Sequence, residues 1–136
     1  MNDTSLQTPA TNLLALVLAW PQLLLDSSAE EFWLHAPMPS HWQQSLHHVI
    51  TEHHIESPTL TSEMLRENIG EEIPAQSMEN ITRAMAVLGL DFAQDDLTRS
   101  GRAQRLWGEV VNDVDRARIK TEIQQAEAAL ANEIGR

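Results

Sequence analysis

Residues 97–136, LTRSGRAQRLWGEVVNDVDRARIKTEIQQAEAALANEIGR, decide how this chain is built. They contain no proline, and Ala103, Trp107, Val110, Val114 and Ala117 recur at steps of four, three, four and three, the spacing of one helix face. The next residue in that series is Thr121, yet the apolar set restarts at Ile119 and continues through Ile123, Ala126, Leu130 and Ile134. At about 100° per residue the second stripe points roughly opposite to the first. One helix does not bury opposite faces in one core. The spacing therefore predicts a rod whose first stripe docks on a globular head and whose second is offered to another helix, from this chain or from a partner. The alternative is a kink over residues 114–118 that folds both halves back onto one core.

Working back from the tail, every other element reads as helical, with no alternating strand pattern, no Asn-Gly hairpin signal and no repeat. Residues 1–10 are polar and lack a period, which predicts a linker or disordered start. A helix is expected from Thr11 or Asn12, apolar on more than one side through Leu13, Leu14, Val17 and Leu18, and Pro21 opens a second short helix through Leu25. Ser27 or Ser28 is the expected cap of a helix over residues 29–35 carrying Phe32 and Trp33. Ser40 starts an amphipathic helix whose expected inner face is Trp42, Leu46, Val49, Ile50 and His53. After a loop over residues 56–59, Leu60 precedes a cap at Thr61 and is placed to pack on Leu65, with Gly70 as the stop. Ser77 is the expected cap of the next helix, with Met78, Ile81, Met85 and Leu88 as its stripe and Gly89 as its terminator. An acidic loop over residues 90–96 leads into the tail. The domain reading is a linker at 1–10, a helical bundle at 11–96 and a long helix with partial hairpin at 97–136. The fold class is all-α.

The chain has 136 residues, enough for one domain with a real core. With no cysteine it has no disulfide framework, thiolate zinc site or cysteine nucleophile. The longest apolar run, residues 13–25, is broken by Pro21 and Gln22 and falls short of the roughly 20 residues a membrane helix needs. No Lys or Arg precedes it, so a secretory signal is not expected, and the chain is read as soluble and cytoplasmic, without a membrane partner. The net charge of −11 is unevenly spread: residues 1–60 hold no Lys or Arg against six acids, and residues 61–97 hold two against eight. The remaining seven bases sit in the tail with six acids. An acidic head lacks the cations that neutralise phosphates, so direct nucleic-acid binding is not expected.

His47, His48, His53 and His54 are candidate metal ligands, but they are adjacent or five to seven apart rather than paired at four-residue spacing. A solvated helix face with one histidine tucked into the core is the better reading. Glu30-Glu31, Glu71-Glu72 and Asp95-Asp96 are sequence neighbours that point about 100° apart on a helix, unlike an acid and base facing one substrate. There is no glycine-rich phosphate loop and no Gly-x-Ser-x-Gly elbow. Trp20, Trp33, Trp42 and Trp107 read as core residues rather than base-stacking platforms, since no basic residues surround the first three. Neither a cofactor, a metal site nor a catalytic residue is expected in this chain.

The run Leu13-Leu14-Ala15-Leu16-Val17-Leu18-Ala19-Trp20-Pro21-Gln22-Leu23-Leu24 is followed by a Trp-bearing helix. A long closing helix then carries Arg116-Ala117-Arg118 and Gln125-Ala126-Glu127-Ala128-Ala129-Leu130. In this order of elements, residues 11–136 resemble the C-terminal helicase-binding domain of bacterial DnaG-type primases. The related N-terminal domain of DnaB-type replicative helicases shares the layout, and Ser57-Pro58-Thr59-Leu60-Thr61 is similar to it as well. The primase resemblance implies a bundle that modulates activity, then a long helix ending in a helical hairpin that grips the helicase N-terminal domains. On this chain it implies a non-catalytic docking module of a DNA primase, with Ile119, Ile123, Ala126, Glu127, Leu130 and Ile134 as the helicase contacts. The sequence departs from the family where a second hairpin arm should follow the glycine turn, because it stops at Gly135-Arg136. Either the sequence is a truncated fragment or the arm is absent, and truncation is expected to leave the second stripe unsatisfied and to weaken helicase binding or promote self-association through the exposed apolar face. Alternatives are a helicase collar domain, a stand-alone helical regulator and a small metal-dependent enzyme.

Overall fold

The apolar residues 13–20 leave no polar face for water, and the chain is organised around them. A computed structural model describes residues 4–57, 62–69, 73–89 and 102–134. Among these residues the chain forms α1 (Thr4–Ala19), a 3₁₀ turn (Pro21–Leu25), α2 (Ser27–Leu34), α3 (His41–Glu56), α4 (Ser62–Ile69), α5 (Ala75–Leu88) and α6 (Arg102–Ile134). The fold is all-α, a helical bundle ending in a long C-terminal helix. Every residue from 13 to 20 is buried, and α3, α4, α5, α6 and the 3₁₀ turn all pack on α1. Full burial of a leucine side chain stabilises by about 1.5–3 kcal/mol. Leu13, Leu14, Leu16 and Leu18, each at 0% exposure, therefore make α1 the axis of the core. No helix among the described residues is long and apolar enough to cross a membrane.

The helix ends follow from local chemistry. Trp20 leaves helical geometry, and Pro21 opens the 3₁₀ turn, where its missing N–H costs nothing. The Asp26 carboxylate accepts the Ala29 amide at 3.0 Å and caps α2. Asp26 thus takes the role expected of Ser27 or Ser28, and α2 begins at Ser27 rather than Ala29. Ser40 caps α3 in a capping box closed by Gln43, whose Oε1 accepts the Ser40 amide at 3.0 Å. Gly89 ends α5 with φ 72°, a left-handed backbone that suits glycine, and donates its N–H to the last turn.

Three further expectations are corrected. Residues 4–10 are helical rather than a linker, because a tertiary clamp holds them. The Gln43 amide nitrogen donates to the Gln7 carbonyl at 2.9 Å and to Thr11 Oγ1 at 2.8 Å, and Thr11 Oγ1 donates to the same carbonyl. The buried face of α3 is Gln43, Leu46, Ile50 and His54, while Trp42, Val49 and His53 sit half-buried on its flank. Two polar side chains with internal partners take inward positions that hydrophobicity assigned to their neighbours. Finally, α5 starts at Ala75 after Pro74, and Ser77 is a buried first-turn residue rather than the cap. The expected stripe of α5 points inward, with Ile81 and Met85 buried and Met78 and Leu88 packed against the core. Leu60, Thr61, Gly70 and the acidic loop over residues 90–96 lie outside the described residues.

Candidate partner-binding helix

Helix α6 is one unbroken 33-residue helix, and its second half does not fold back onto the core, since residues 122–133 are exposed. In its first half Val110, Val114 and Ala117 are buried, and Leu106 and Trp107 pack against the core. The Trp107 ring meets Phe32 of α2 edge-on, with centroids 6.0 Å apart and planes at 82°. The side chain of Ala103 lies outside the described residues.

The second stripe faces away. Ile119, Ile123 and Leu130 are 51%, 52% and 56% exposed, and Ala126 and Glu127 are exposed beside them. Residues 122–133 are exposed on every face, so the end of α6 stands clear of the bundle. The backbone of Ile134 closes the helix, but its side chain lies outside the described residues. The structure thus brings Ile119, Ile123, Ala126 and Leu130 to one ridge, with Glu127 at its border. Arg116, Lys120 and Glu133 also border that ridge and are exposed, yet they do not enter a reading based on apolar spacing. Their signal is a seven-residue repeat rather than hydrophobicity.

The histidines of α3 point to separate partners. His47 Nε2 donates to the Trp33 carbonyl at 2.7 Å while its ring lies 4.3 Å from the Trp33 ring. Trp33 is fully buried and donates its indole N–H to Thr51 Oγ1 at 2.9 Å, which donates in turn to the His47 carbonyl. Burial holds the His47 pKa below the ordinary value of 6.5, opposed by the bond to Trp33 and reinforced by the neighbouring His48. His54, 8% exposed, meets Glu30 of α2 at 2.7 Å, and His48 meets Glu52 at 3.1 Å on the solvent side. Among the described residues no three His, Asp or Glu side chains stand close enough to hold a metal ion. Glu30 faces His54 while Glu31 is exposed, and both Glu71-Glu72 and Asp95-Asp96 lie outside the described residues.

Clefts lined by described residues border the bundle. One of about 340 Å³ lies between α1, α3 and α5, and among its described lining residues the charged one, Arg83, is paired with Glu79 at 3.1 Å. Another, about 360 Å³, lies between the 3₁₀ turn, α2 and α6, and among its described lining residues the charged one is the helix cap Asp26. Trp20 and Trp33 are buried, and Trp42 and Trp107 pack on the core, so each tryptophan serves the interior. No family model matches the chain, and neither a curated protein nor a solved structure matches it.

Proposed function

We propose that the chain is a protein-docking module of a bacterial DNA primase, working in the cytoplasm, whose protruding helix engages the N-terminal domains of the replicative helicase. One observation carries this reading: a single helix buries one face in its own bundle and holds a second apolar ridge, Ile119, Ile123, Ala126 and Leu130, clear of it. A contiguous exposed apolar ridge of this kind marks a surface for protein interaction. The all-α layout and the acidic head agree with a module that acts at a replication fork through a protein rather than by gripping nucleic acid. Catalysis of primer synthesis belongs, in this reading, to other domains.

The test is calorimetric titration of the chain with the N-terminal domains of its cognate helicase. Binding is expected, and Ile123→Ala and Leu130→Ala should each cost about 1–3 kcal/mol, the range of interface anchors. Absence of binding, including by a chain that carries any residues its gene encodes past Arg136, overturns the reading.

A further inference from the structure

The exposed half of α6 also has a charge pattern that selects an occupant. Set on a seven-residue repeat, Arg116, Ile123 and Leu130 share one core position, and Ile119, Ala126 and Glu133 share the other. Lys120 and Glu127 fall on one border of that core, Glu122 and Ala129 on the opposite border. All of these side chains are exposed on a helix that no other described element covers beyond residue 121.

We propose that this segment pairs antiparallel with the same segment of a second copy of the chain. An antiparallel pair places Ile119 against Leu130 of the second copy and Ile123 against its Ala126. The same register sets Arg116 against Glu133 and Lys120 beside Glu127, each twice by the two-fold symmetry. Four opposite-charge pairs then frame a continuous apolar seam. A parallel pair instead stacks Arg116 on Arg116 and Glu133 on Glu133 in the core and sets Glu122 beside Glu127 twice, four repulsions against the two attractions of Asp115 beside Lys120, so charge on balance opposes it. The seam over residues 116–133 is about 26 Å long at ~1.5 Å per residue, which makes a small interface and a reversible, salt-sensitive dimer. Because the dimer covers the ridge assigned above to the helicase, the two associations exclude one another. The pairing rests on the ridge and its charges, and stands whether or not the helicase reading does.

Sedimentation equilibrium of the full chain tests it. The mass should rise toward that of a dimer between about 10 µM and about 1 mM, as a small interface requires. Arg116→Glu with Lys120→Glu turns the four attractions into repulsions, and should weaken association at least about tenfold, since exposed pairs are each worth up to a few-fold. Adding Glu127→Lys and Glu133→Lys exchanges the charges and should restore association to within about threefold of the original. The chain has no cysteine, so an oxidised mixture of Arg116→Cys and Glu133→Cys chains reports orientation directly. The mixed 116–133 product should dominate. A monomer throughout the concentration range, failure of the exchanged chain to recover, or a dominant 116–116 product overturns the proposal. A monomer that still binds helicase removes only this proposal, whereas a dimer that binds no helicase removes only the functional reading.

Discussion

The two halves of α6 share one backbone and differ in what holds them. In the first half Val110, Val114 and Ala117 lie in the core, so its helix folds only as part of the bundle. In the second, Ile119, Ile123 and Leu130 face water, and helicity rests on local propensity, helped by Ala126, Ala128, Ala129 and Ala131. An isolated helical segment of this length is marginal in water. The proximal half is thus bound to global stability, and the distal half is conditional on a partner.

The comparison breaks most visibly under a buried charge. Val114→Asp should destabilise the fold by about 4 kcal/mol, measured by urea denaturation, because an unpaired carboxylate enters an apolar core. Ile123→Asp, about two and a half turns further along and exposed, should stay within about 0.5 kcal/mol. Equal losses at the two positions would refute the division.

A second, smaller test uses pH and acts on the layer beside the proximal half. The His47 pKa is lowered in the folded state, so the unfolded state binds its proton more readily. The stability that His47 contributes is complete above 6.5 and is lost as pH falls through its folded value. Denaturation midpoints should drop below pH 6.5, at a slope of at most about 1.4 kcal/mol per pH unit from this one group. His47→Gln should remove that part of the slope, and the helicity of the distal half should not follow it.

The finest test compares helix propensity at two solvent-facing sites. A Cβ added at Gly108 meets no atom within 4 Å, so Gly108→Ala should raise the global midpoint by about 0.5–1 kcal/mol equivalent. Ala128→Gly carries the opposite propensity change in the distal half. It should leave the global thermal midpoint in place and lower only the far-UV helical signal.

How far each half could be read in advance follows from what sets it. The apolar stripes of α6 are periodic, and their reversal is written in the spacing of Val114, Ala117, Ile119 and Ile123. The start of α1 is not legible in the same way. Residues 4–10 lack a pattern, and their helix is held by Gln43 from 36 positions away. A buried glutamine is ranked as exposed by any hydrophobic reading, yet all three of its described hydrogen bonds are internal. His54 misleads likewise, since its inward place depends on Glu30 across α2. The cap at Asp26 escapes a reading that names Ser27 or Ser28, because all three side chains can accept an amide and only the backbone path chooses among them. At the candidate site the ridge was legible, while Arg116, Lys120 and Glu133 gain meaning only once the distal half is known to stand free.

Hydrogen exchange along α6, read by mass spectrometry on the Arg116→Glu, Lys120→Glu chain at low micromolar concentration, tells a docked distal half from a free one. Amides of residues 110–117 should exchange only through global unfolding, while those of residues 122–133 should exchange orders of magnitude faster, through local fraying. Equal protection across both halves in this monomer would show that the distal segment is held by its own bundle, and would contradict the account.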